Sequence, residues 1–155
     1  MRVHICAVGR LRSGEERALT DDYLKRFNRT GRALGLGPAS EREVEDRKSR
    51  GMAAEADLLR GVIPTAAYVV TLDERGSLMT SPDFAAKLDR WRGDVRDVAF
   101  VIGGADGIDR GLRAEAQFSL SFGKMVWPHM LVRVMLAEQL YRAATILAGG
   151  PYHRS

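Results

Sequence analysis

The chain has 155 residues, of which 45% are hydrophobic and 28% charged, with a formal charge of +4. That length supports a full core in one domain, spanning residues 1–155, and the composition excludes a disordered chain or a disulfide scaffold. No apolar run reaches the ~20 residues of a membrane span, and the stretch following Met1 is too short for a secretory signal, so a soluble, cytoplasmic protein is expected.

Charge is unevenly placed. Residues 1–34 hold eight bases (seven Arg plus Lys25) against Glu15, Glu16, Asp21 and Asp22, and the remainder balances at 16 of each sign. A basic segment suits a polyanion such as RNA, with a solvated face as the plainer reading. The single cysteine, Cys6, sits in an apolar run and is expected to be buried; with His4, His129 and His153 it forms no zinc spacing, so no metal is expected.

In chain order, residues 3–8 form a strand, residues 9–14 an Arg- and Gly-rich turn, and Leu19, Tyr23 and Phe27 recur at helical spacing. A loop over 31–40 leads to a weak, polar strand near 41–45. Ala53, Ala56 and Leu59 mark a second helix, closed by Gly61 and Pro64. The apolar run 66–72 reads as a strand buried on both faces. Ser81 is expected to cap the next helix, with Pro82 in its first turn and Phe84, Leu88 and Trp91 on its inner face. A buried strand over 98–102 ends in Gly103-Gly104, a short helix covers 110–116, and residues 118–121 form a last strand. The final helix spans 131–147 and stops at Gly149-Gly150-Pro151. This alternation predicts an α/β fold with a mostly parallel sheet covered by helices.

Ligands of parallel sheets collect beyond the carboxyl ends of the strands. Three such ends stand out: Leu72-Asp73-Glu74-Arg75-Gly76, Gly103-Gly104-Ala105-Asp106-Gly107 and Phe122-Gly123-Lys124-Met125-Val126-Trp127-Pro128-His129. The glycines fit either a ligand approaching the backbone or a tight strand-to-helix turn. They match neither G-x-G-x-x-G nor the P-loop, which weakens dinucleotide and phosphate-loop readings. His129 has the intrinsic pKa of a general base or is a packed residue. Tyr152-His153-Arg154 follows a Gly-Gly-Pro break, so it is expected to project from the helix, where it could stack on a base and grip phosphate or simply fray.

Together Val70-Thr71-Leu72-Asp73, Ile102-Gly103-Gly104-x-x-Gly107, Pro128-His129-x-x-x-Arg133, Ala137-Glu138-Gln139-Leu140-Tyr141-Arg142-Ala143 and Pro151-Tyr152-His153-Arg154 resemble one family. It is the ribosomal RNA large-subunit pseudouridine N3-methyltransferase family of the SPOUT superfamily, and the resemblance covers essentially the whole chain.

The resemblance implies an α/β fold with a C-terminal trefoil knot, S-adenosylmethionine as cofactor, a homodimer and, as partner, large-subunit (23S) ribosomal RNA; the assembled ribosome is the expected substrate because no separate RNA-binding domain is evident. The resemblance places cofactor contacts on Leu72, Gly103, Phe122, Gly123, Lys124, Met125, Val126 and Trp127. The chemistry of the acceptor, an imide that must lose its proton, points to catalytic roles among His129, Arg142, His153 and Arg154, with His129 or His153 as base and Arg142 or Arg154 on the imide oxygen or a phosphate. The residue types of Tyr152, His153 and Arg154 point to substrate contacts there. No appended RNA-binding domain is evident, so recognition is expected from the catalytic domain and its dimer partner. Valine at Gly103 is expected to abolish cofactor binding with the fold intact, by entering the ligand's volume. A phosphate-using α/β enzyme and a non-catalytic ribosome-binding protein remain as rivals.

Overall fold

Every residue of the run 97–102 is buried, which requires cover on both faces of a sheet. The computed structural model, which describes residues 1–155, provides that cover. Its elements are β1 (Arg2–Val8), α1 (Glu15–Gly31), β2 (Ala39–Val44), α2 (Met52–Val62), β3 (Tyr68–Ser77), α3 (Ser81–Asp94), β4 (Asp97–Ile102), α4 (Arg110–Glu115), β5 (Phe118–Leu120) and α5 (His129–Leu147). The strands pair in the order β2-β1-β4-β3-β5, and every ladder between them is parallel.

Successive side chains of a strand point to opposite faces, and β1 and β4 divide their apolar residues accordingly. Val3, Ile5, Val98 and Phe100 enter a core closed by Phe27 of α1, Leu88 of α3, and Leu136 and Leu140 of α5. Cys6, Val8, Ala99 and Val101 enter a second core against Ala56 and Leu59 of α2 and Leu112 of α4. Burial pushes the Cys6 thiol up to about 11, so it packs as a small apolar group.

The structure moves several boundaries. The polar second strand is β2 at the sheet edge, and it starts two residues before the expected position, at Ala39, which pairs with Val3. β3 begins at Tyr68, because Ala66 takes a left-handed φ of 63°. It also runs past Leu72: both Leu72 and Ser77 pair with Leu120, so residues 73–76 bulge between them. Thr80, rather than Ser81, caps α3 by accepting from the Asp83 amide at 3.2 Å. Ser81 instead donates to Gln139 of α5 at 2.8 Å. α5 starts at His129, so that residue belongs to the helix's first turn.

One buried charge ties the layers together. Arg133 of α5 is 1% exposed and donates to Glu41 (3.0 Å), to Glu43 and to the Gly9 carbonyl (2.8 Å). Arg17 of α1 donates to Glu41 and to the Leu11 carbonyl (3.1 Å), while the Leu11 amide donates to Glu43 (2.8 Å). Burial alone would raise the Glu43 carboxyl, but the Leu11 amide and Arg133 outweigh it and hold it below its ordinary value. The β1–α1 turn is thereby clamped to β2 and to the start of α5. Replacing Arg133 by methionine leaves two half-buried carboxylates short of a partner. The expected cost is about 3–5 kcal/mol, a fall in Tm on the order of 10 °C by calorimetry. An unchanged melt would show that Arg17 alone suffices for both acids.

Candidate active site

Parallel pairing brings the carboxyl ends of β1, β4, β3 and β5 to one edge. A cleft opens there, lined by Leu72 and Asp73 from β3, Ile102 to Ala105 and Gly107 after β4, Leu120, Phe122 and Gly123 after β5, Met125 to Trp127, and His129 and Val132 of α5. Seven of the eight expected cofactor residues therefore meet in one place; Lys124 is exposed and is not part of the lining. A larger groove of about 480 Å³ shares Leu120, Phe122 and Gly123 with the cleft and runs along α5 to Glu138. The glycine loop and His129 open only on the cleft, which makes the cleft the better candidate for chemistry.

The glycine loop closes on itself. The Gly107 amide donates to the Gly104 carbonyl at 3.0 Å, and Gly107 takes a left-handed φ of 87°. A Cβ at Gly103 would lie 2.6 Å from the Gly107 carbonyl carbon and 2.9 Å from the Ile108 nitrogen. The expectation that Gly103→Val spares the fold is therefore corrected: this glycine is required by the turn before any ligand arrives. The variant is expected to lose about 1–3 kcal/mol of stability along with ligand binding. Thermal melts with and without cofactor test this, and a valine variant melting like wild type would overturn it.

Beyond the loop, Met125 and Val126 are 74% and 76% exposed, and Trp127 is exposed beside them. These apolar walls stand open towards solvent, as expected of surfaces that a ligand or a second subunit covers. The cleft floor is cross-linked by ion pairs. Asp73, missed as a site residue by the sequence reading, accepts from the Arg75 amide (2.9 Å), the Arg75 guanidinium (3.1 Å) and Arg113 (3.2 Å). Burial would raise its carboxyl, but these donors hold it below the ordinary aspartate value. Its pairing with Arg75 two residues on was legible; that with Arg113, 40 residues away, was not.

His129 is half-buried at the cleft, with its Nε2 only 3.3 Å from where a Cβ on Gly9 would stand. Burial first, and then Arg133, lower its pKa below the usual imidazole value. It is therefore neutral at pH 7 and carries a free lone pair.

The other three candidate catalytic residues lie elsewhere. The end of the chain folds back on α5 instead of projecting from it, which corrects the sequence reading. Tyr152 packs against Tyr141 with ring centroids 4.6 Å apart and the rings tilted by 55°, lies under the Arg142 guanidinium at 4.8 Å, and donates to Glu138 at 3.1 Å. Burial, and then Glu138, push the Tyr152 phenol up, so it stays a neutral donor. Glu138 also accepts from Arg142 at 2.6 and 2.9 Å, and Arg142 donates to His153 Nδ1 at 3.2 Å. Arg154 is exposed. Glu138 is the hub that the sequence reading overlooked; a Glu four residues before an Arg on a helix was its signal. His129 and Arg142 are 13 residues apart on one helix, about 20 Å at 1.5 Å per residue. Within one chain, the two groups cannot act on the same acceptor atom.

The family model described as "Predicted SPOUT methyltransferase" matches residues 1–153, and the chain belongs to the SPOUT methyltransferase family. It is 71% identical, over 99% of both chains, to a protein of Ruegeria sp. (strain TM1040) named ribosomal RNA large subunit methyltransferase H. A protein of the same name from Roseobacter denitrificans is 69% identical over the full length of both. Among solved structures, a probable methylase family protein from Haemophilus influenzae Rd KW20 aligns with a TM-score of 0.51 at 12% identity. That alignment covers 99% of this chain and 70% of the other, and it is a likeness of fold alone. No helix is long and apolar enough to cross a membrane, and no cluster of His, Cys, Asp and Glu is placed to hold a metal ion.

Proposed function

We propose that this chain, as one methyltransferase domain, uses S-adenosylmethionine to methylate N3 of a pseudouridine in large-subunit (23S) ribosomal RNA, in the cytoplasm and on the assembled ribosome. The observation that carries the reading is the convergence of the three strand-end segments and His129 on one cleft, in a chain 71% identical to a protein named for that RNA. The cleft's residues fit the cofactor. Its turning backbone between Gly103 and Gly107 offers amides and carbonyls to polar groups, and Leu72, Met125, Val126 and Trp127 offer apolar walls to a planar base. The trefoil knot implied by the family belongs to the same reading.

The bound sulfonium supplies an activated methyl group, which leaves the protein alignment and proton removal. The imide N3–H must lose its proton as the new N–C bond forms. Neutral His129 stands at the cleft with a lone pair to accept it. His153 is differently prepared: Arg142 can only donate, so Nδ1 accepts and Nε2 is the ring nitrogen left to donate. His153 therefore serves as a donor to a developing imide oxygen, together with Arg142 and Arg154.

The 20 Å gap along α5 then calls for two copies. A C2 homodimer supplies His129 from one subunit and Tyr152, His153, Arg142 and Arg154 from the other. Exposed Met125, Val126, Trp127, Met130 and Leu131 beside the cleft, with Leu19 and Leu78 along the groove, offer the apolar surface for that pairing.

The test is methyl transfer from labelled cofactor to ribosomes lacking the modification, with mass spectrometry locating the methyl group. Incorporation at N3 of a large-subunit pseudouridine is expected, with naked RNA fragments a poor substrate. Methylation of another atom, or of the small subunit, would overturn the assignment.

A further inference from the structure

The geometry points to a docking surface for the RNA phosphate backbone, built by the β1–α1 and β2–α2 turns beside the cleft. The inference rests on the ribosomal RNA reading above and specifies how that substrate is held. Three arginines converge on one carboxylate: Glu45 lies 3.3 Å from Arg10, 3.7 Å from Arg47 and 4.0 Å from Arg12. Arg12 and Arg47 are 74% and 77% exposed, so most of their donor capacity faces solvent. One carboxylate leaves such a group two positive charges in excess, and its planar donors match the oxygens of a phosphodiester. Lys48, exposed on the same turn, adds a further charge.

The neighbouring acids do not cancel this surface. Glu41 and Glu43 on β2 are turned into the buried network of Arg133 and Arg17. Asp46 accepts from the amides of Arg50 and Gly51 and is paired with the Arg50 guanidinium at 3.6 Å. The same network fixes where the surface sits, since Arg133 holds the Gly9 carbonyl and the Leu11 amide holds Glu43. Gly9 in turn lies against the His129 ring. A backbone docked on Arg10, Arg12 and Arg47 is therefore registered to the cleft through the β1–α1 turn and the network that clamps it to β2 and α5. Phosphate contacts position a nucleic acid without reading its sequence, which suits an enzyme that must present a single base to its cleft.

The triple variant Arg10→Ala, Arg12→Ala, Arg47→Ala is the test, measured by equilibrium binding to ribosomes over a range of salt and by methylation kinetics. Ribosome Kd and KM should rise by about 10-fold to 100-fold, and the salt slope should fall by about 2 to 3. S-adenosylmethionine affinity and kcat should hold, and the triple Lys variant should keep most of the binding. Glu45→Gln, which frees the three arginines, should bind ribosomes more tightly than wild type; a purely structural ion cluster would not gain from that change. Unaltered ribosome affinity and salt slope in the triple Ala variant would overturn the surface while leaving the methyltransferase reading intact. A wild type that binds ribosomes with the expected salt slope, yet methylates nothing, would overturn that reading and leave the surface standing.

Discussion

Replacing His129 by asparagine is expected to lower kcat for ribosome methylation by about 10² to 10⁴, the usual worth of a positioned general base. Cofactor affinity should change little, because asparagine keeps a polar, uncharged side chain at the cleft edge. The pH profile carries the sharper test. The imidazole's pKa lies below its ordinary value, so the wild type keeps its base free down to acid pH. Activity should be level from about pH 6.5 upwards and fall only below that, as protons compete for the ring. In the asparagine variant the acid limb should vanish with the rate. The folding contribution has the same sign: protonation favours the unfolded chain, so this part of the stability is lost as pH falls below the unfolded value. His153→Asn should also slow the reaction but keep the acid limb, since that ring acts as a donor. The opposite pattern, an acid limb surviving in His129→Asn and lost in His153→Asn, would exchange the two roles.

Truncation after Gly150 is expected to reduce methylation by about 10³ or more, because Tyr152, His153 and Arg154 leave together. The ion pair between Arg142 and Glu138 lies wholly within α5, so the helix should keep its shape. Cofactor binding and dimerisation should remain near normal. The truncated chain also tests whether the site is shared. Mixed in equal amounts with His129→Asn, it should recover about one quarter of wild-type activity. Half of the dimers are then mixed, and one of the two sites in each is intact under C2 symmetry. Activity no greater than that of either variant alone would show that each chain works by itself. Normal turnover by the truncated enzyme would show the end of the chain to be a packed terminus without a catalytic part.

Much of the architecture was legible because it rests on short-range rules. The runs 98–102 and 66–72 read as doubly buried strands because they are almost continuously apolar, although the second strand forms only from Tyr68. Phe84, Leu88 and Trp91 repeat at helical spacing and duly share a buried face. Seven of the eight expected cofactor residues line one cleft because parallel strands always deliver their carboxyl ends to the same edge. The cap of α3 slipped by one residue, as Thr80 and Ser81 are both able caps and only the contact with Gln139 separates them.

By itself, the sequence determined the sheet, its covering helices and the segments that meet at the carboxyl edge, since periodicity, turn residues and strand direction are properties of neighbouring positions. Only the tertiary structure decided what long-range approach creates. Arg133 finds Glu41 and Glu43 some ninety positions away; Gly103 is needed because the backbone of Gly107 returns over it; Tyr152 lies back on Tyr141. Each of these depends on distances between segments that the chain brings together only on folding, where burial removes water as the alternative partner and leaves charges and amides to find one another.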